Sequence, residues 1–239
     1  MNEIYRKKEP AFAVMWIIIY VAGTVLAETL SETAGVFKLF PALLHAALSV
    51  YLLVWLKKNG LFGKYGLMRP AYRPALAWFF LPLALTAMCR LFPGVSLRYD
   101  AAGTLLYVVS MLGVGFLEEI IFRGFLFRAL EKDNPARAIV VSSVTFGIGH
   151  IVNLLNGQDL AETLLQIVFA VAVGFTLVIL FHKGGSLIPC IVFHGLNNSL
   201  SAFCAEESSG GFAAELAVLG MCVVLLALYS VWNWKRLKI

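Results

Sequence analysis

Apolar residues occur along this chain in long, nearly unbroken runs, separated by short polar or basic segments. Eight runs stand out: Ala11–Ala27, Phe37–Leu56, Ala75–Phe92, Ala101–Leu130, Ala138–Leu155, Leu160–Phe181, Ser186–Phe203 and Gly211–Trp234. Most approach the ~20 residues a helix needs to cross a bilayer core. None alternates with the period of two that barrel strands require. In lipid the backbone must satisfy its own hydrogen bonds, so each run is expected to be a helix. The pattern predicts an all-α, polytopic membrane bundle of about eight transmembrane helices. Residues 1–239 form one transmembrane domain, with no linker or repeat.

Composition agrees with this reading. The chain is 60% hydrophobic and 14% charged, against ~45–50% apolar and ~25% charged in a soluble domain. The net charge of +5 does not point to nucleic acid, because the basic residues cluster at the ends of apolar runs. With a cytoplasmic N-terminus, 19 basic residues divide unevenly: all but Lys38, Arg90 and Arg98 fall on inner segments, Arg69, Arg73 and Lys238 among them. The outer segments "NGQDLAE" and "CAEESSGG" carry none. This satisfies the positive-inside rule with both termini cytoplasmic. The first run is long for a cleaved leader and is read as a retained span. The partner implied throughout is the lipid bilayer. Cys89, Cys190, Cys204 and Cys222 form no C-x-x-C pair and read as small hydrophobes rather than disulfides or ligands.

The spans nevertheless contain charge. Glu118, Glu119 and Arg123 lie in "GFLEEIIFRGF", His150 ends "FGIGH", and His194 and Asn198 lie in "HGLNN". An ionisable residue at membrane depth is expensive and is by default a functional candidate. Glu119 and Arg123 stand four apart, acid first, as a helical ion pair requires. Phe146 and His150 share one helix face, as do His194 and Asn198. Glu118 and His150 are equidistant from Asn134 in the turn "DNPAR", each roughly 24 Å from it along a straight helix. A hairpin would therefore bring them to one level. His45 is read as a structural histidine, and His182, beside Lys183, as an interfacial one.

The chemistry these groups suggest is hydrolysis. No Ser–His–Asp or Cys–His grouping is evident in the spans, so water is the expected nucleophile. Glu118 can accept its proton, while Glu119 stays paired with Arg123. Asn198 can donate N–H to an oxyanion, and His194 can donate beside it or protonate the leaving group. A zinc ion held by His150 and His194 is the alternative, although H-E-x-x-H is absent. The favoured mechanism requires no cofactor. An ion-coupled transporter would also use buried Glu, His and Arg.

The ordered set E-E-x-x-x-R, F-x-x-x-H and H-x-x-x-N resembles the CPBP family of CAAX proteases and bacteriocin-processing enzymes, also called the ABI family. This family includes the type II CAAX prenyl endopeptidases. The resemblance implies a glutamic-type intramembrane protease, long labelled a metalloprotease, in a bacterial or archaeal cell membrane. It implies a catalytic core over residues 115–200, open to the cytoplasmic side. It assigns Glu118 as general base, His150 to hold the water, and His194 and Asn198 to the oxyanion. Glu119, Arg123 and Phe146 would support them. The substrate would be a membrane protein or peptide, of the prenylated CAAX type in some members. Other members are non-catalytic immunity or scaffold proteins.

Overall fold

The computed structural model describes residues 2–68, 80–205 and 211–236. Residues 75–79 of the third apolar run, and the basic residues Arg69, Arg73 and Lys238, lie outside the described residues. Among those described, the chain is helical, with no strand beyond an isolated bridge between Val95 and Cys204. The elements are α1 (Asn2–Lys7), α2 (Glu9–Ala34), α3 (Leu39–Lys58), α4 (Leu81–Met88), α5 (Ala101–Glu118), α6 (Arg128–Leu130), α7 (Pro135–Gly149), α8 (Leu160–Gly184), α9 (Ile188–Ser199) and α10 (Gly211–Arg236).

Among the described residues, six helices are long and apolar enough to cross a membrane: Glu9–Ala34, Leu39–Lys58, Ala101–Leu130, Pro135–Leu155, Leu160–Gly184 and Gly211–Lys235. Over their described residues, the other two runs of the expected eight form shorter helices. In the third run, Leu81–Leu91 is helical, with Pro82 in its first turn. In the seventh, Pro189 opens α9, and a 3-10 turn over Leu200–Phe203 follows it. Proline has no N–H to give the preceding turn, which explains why α9 begins there.

The span Ala101–Leu130 is the axis of the bundle. Half of its apolar window is buried within the protein, against 11% for Gly211–Lys235 at the periphery. α5 packs on α3 and α9, α7 on α8, and α10 on α8. The outward faces carry exposed Val14, Ile18, Leu26, Leu105, Leu164, Met221 and Leu228. Such an apolar belt, with no protein over it, is what a lipid-facing surface requires.

Between α5 and α6 the axis changes its winding. The nine residues Glu119–Phe127 form a π-helix, and all nine are buried. π-helical turns are rare, and they cluster at functional sites. Ser142 of α7 donates its hydroxyl to the Phe122 carbonyl at 2.8 Å, tying the altered segment to its neighbour. Below it, Phe125 meets the rings of Phe12, Trp16, Trp55 and Tyr65 at centroid distances of 5.0, 6.4, 6.3 and 5.1 Å. These aromatic contacts fix α2, α3 and the loop after α3 against the π-helical segment.

Candidate active site

The site is built where α5 passes into the π-helix and meets α9. A close approach makes this contact. A Cβ placed on Gly115 would lie 2.5 Å from the Gly195 backbone nitrogen and 2.6 Å from its Cα. No side chain larger than hydrogen fits there, so the two backbones touch. Gly195 follows His194 directly, so this contact sets the height of His194 against the two glutamates.

His194 joins both acids. Its Nδ1 is 2.8 Å from Glu119 Oε1, and its Nε2 is 3.4 Å from Glu118 Oε2. Glu119 Oε1 also lies 3.1 Å from Arg123 Nη1, and both side chains are fully buried. The helical ion pair expected from the spacing is therefore present, and His194 is attached to it. The Arg123 guanidinium, which has no aligned hydrogen bond among the described residues, lies 3.9 Å above the Phe146 ring centroid. That cation–π contact in a dry setting supplies a second favourable partner.

Phe146 is the hub of the remaining residues. Its ring meets His150 at 5.3 Å and 82°, and His194 at 5.6 Å and 89°. Both histidines thus stand edge-on to one ring. His150 Nδ1 is 3.1 Å from the Phe146 carbonyl. A carbonyl only accepts, so Nδ1 carries the proton and Nε2 is left with a lone pair. Asn198 lies one turn beyond His194 on α9, half-buried, and its Oδ1 accepts from Asn197 Nδ2 at 3.3 Å. Its own Nδ2 remains available to donate.

One participant had no signature. Tyr20 of α2 donates its hydroxyl to Glu118 Oε1 at 2.8 Å. The signal was a tyrosine inside an apolar run, whose hydroxyl needs a partner when buried. His45 is structural, as expected: Thr24 Oγ1 and Ser110 Oγ sit 3.0 Å from its two ring nitrogens. His182 lies 3.3 Å from Glu131 and stacks on Trp234, away from the signature residues.

Among the described residues no three His, Cys, Asp or Glu side chains are grouped to hold a metal ion. His194 already spends Nδ1 on Glu119.

Residues 100–200 match the family model for the type II CAAX prenyl endopeptidase Rce1-like proteins. No curated protein and no solved structure gave a significant match. The matched segment contains α5, the π-helix, α7, α8 and α9, and with them all three signatures. This match supports placing the chain among the CPBP-family CAAX proteases.

Proposed function

We propose that this protein hydrolyses a peptide bond near the C-terminus of a prenylated, membrane-associated CAAX-type substrate, using water activated by Glu118. The family match supports a CAAX-type intramembrane protease in general. The mechanism is carried by one observation: Glu118 Oε2 is buried, has no hydrogen-bond partner among the described residues, and faces His194 Nε2. Glu119 Oε2 also lacks a hydrogen-bond partner among the described residues, but it belongs to the carboxylate that Arg123 and His194 already hold.

A water bound between Glu118 Oε2 and His150 Nε2 would give one O–H to each acceptor. Its remaining lone pair attacks the scissile carbonyl carbon as Glu118 takes the first proton. The carbonyl becomes an oxyanion, to which Asn198 Nδ2 donates. Glu118 then passes the proton through His194 Nε2 to the amine nitrogen as the C–N bond breaks. Glu119 accepts from Nδ1 throughout and balances the imidazolium formed in transit, as the carboxylate of a hydrolytic triad does. Glu119 is free for this because Arg123 pairs with it. A neutral His194 with its proton on Nδ1 can only accept at Nε2. The oxyanion therefore depends mainly on Asn198.

The test offers purified protein a panel of matched prenylated and unmodified membrane-anchored peptides. Glu118→Gln is expected to lower turnover by ~10²–10⁴-fold without unfolding the protein. Asn198→Ala is expected to lower kcat by ~10²–10³-fold with a smaller change in KM. Turnover surviving in Glu118→Gln removes the base assignment. Equal cleavage of unmodified peptides moves the substrate class away from prenylated chains. Activity lost to a chelator and restored by zinc replaces the metal-free scheme.

A further inference from the structure

We infer that Tyr20 is a positioning residue for Glu118: its hydroxyl holds one carboxylate oxygen so that only the other is presented to water. The inference rests on the protease reading given above. Tyr20 comes from α2, outside the matched segment, and reaches Glu118 across 98 residues of sequence.

The two oxygens of Glu118 differ in a way that fits this role. Oε1 accepts the Tyr20 hydroxyl at 2.8 Å, whereas Oε2 has no hydrogen-bond partner among the described residues and faces His194. An unheld carboxylate turns about its terminal torsion, which is broad and nearly two-fold. A buried donor on one oxygen removes that freedom and fixes which lone pairs point at the water. It also meets the hydrogen-bonding need of an oxygen taken out of solvent, where an unmade bond is costly.

Tyr20 is itself held. It is buried, with its ring 5.8 Å from that of His45. His45 is clamped between Thr24, one turn after Tyr20 on α2, and Ser110 of α5. Gly113 brings α5 against α3 here, since a Cβ on it would lie 2.7 Å from the His45 Cβ. Helices α2, α3 and α5 thus form a rigid backing behind the base. A hydrogen bond to a charged group is worth roughly 10–100-fold when removed.

The experiment compares wild type, Glu118→Gln, Tyr20→Phe and protein carrying 3-fluorotyrosine at position 20. Tyr20→Phe is expected to lower kcat by ~10–100-fold with KM little changed. Fluorotyrosine, which keeps the donor, restores most of that loss. The infrared carboxylate band of Glu118, isolated by subtracting the Glu118→Gln spectrum, shifts with fluorotyrosine because the hydroxyl is a stronger donor. This second readout needs neither turnover nor a folded Tyr20→Phe variant. An unshifted band overturns the inference, as does wild-type kcat in Tyr20→Phe. If Glu118→Gln abolishes cleavage while Tyr20→Phe keeps the wild-type kcat, only the Tyr20 role falls. If Glu118→Gln cleaves like wild type, the protease reading falls and takes the Tyr20 role with it.

Discussion

Two clusters in this molecule share one chemistry, a carboxylate bound to more than one basic side chain, and differ in where they stand. At the bundle axis, Glu119 meets Arg123 and His194 with no solvent exposure of the Glu119 or Arg123 side chain. At the end of α2, Glu9 takes Lys64 at 2.7 Å and Lys132 at 2.8 Å, with side-chain exposures of 24%, 30% and 58%. The distances alone would rank them equal. The surroundings do not. Water can replace either lysine at Glu9, whereas nothing described can replace Glu119 beside Arg123. Burial, not the contact distance, decides which cluster the protein cannot lose, and it is the buried one that abuts Glu118.

The largest expected effect lies in the axial cluster. Glu119→Gln keeps the shape but leaves Arg123 buried without a counter-charge, a loss of about 3–5 kcal/mol. The midpoint of thermal unfolding in detergent should fall accordingly. Adding Arg123→Met removes the stranded charge, and much of the stability should return even though His194 has lost its anchor and activity has not. A double variant no more stable than Glu119→Gln alone would mean that the pair is not the source of the loss.

Next is the backbone contact that aligns this cluster. A Cβ at Gly115 meets the Gly195 backbone, which cannot rotate aside. Gly115→Ala is expected to cost about 1–3 kcal/mol by overpacking. It also displaces His194 from Glu118, so kcat should fall as well. Gly220 on the peripheral α10 has nothing within 4 Å of the corresponding position. Gly220→Ala should therefore leave both stability and turnover intact. Equal effects at the two glycines would erase the distinction between axis and periphery.

The same contrast explains what the sequence reveals. Everything set by local spacing is legible. Apolar runs mark the helices, Glu119 and Arg123 pair at four residues, and His150 reaches back to Phe146 within one turn. Contacts between distant segments are not. The Tyr20–Glu118 bond joins positions 98 apart, and the His194–Glu119 bond joins positions 75 apart. No residue pattern in "EIIFRGFLF" separates a π-helix from an α-helix, since its winding is tied to neighbours such as Ser142. Span number was also only partly legible. Apolar composition marks the seventh run, but Pro189 and the 3-10 turn limit how much of it is one α-helix.

The smallest effect is expected at the surface cluster, and its pH dependence sharpens the comparison. Burial alone would favour the neutral amine of Lys64, but hydrogen bonds to Glu9 and Tyr5 outweigh it and hold the amine above its ordinary value near 10.5. A raised folded-state value means that the charged lysine favours the folded protein. That contribution is complete below the unfolded value of about 10.4 and is lost as pH rises through the higher folded one. For a half-exposed pair it amounts to about 0.2–1 kcal/mol. Lys64→Met should therefore lower the unfolding midpoint slightly and by a constant amount from about pH 7 to about pH 10, the gap from wild type closing above that. Glu119→Gln, by contrast, should show its large deficit across the same range, because Arg123 is left buried without its partner. A Lys64→Met deficit as large as that of Glu119→Gln, or one that widens above pH 10, would show that the surface cluster is not the solvent-softened counterpart of the axial one.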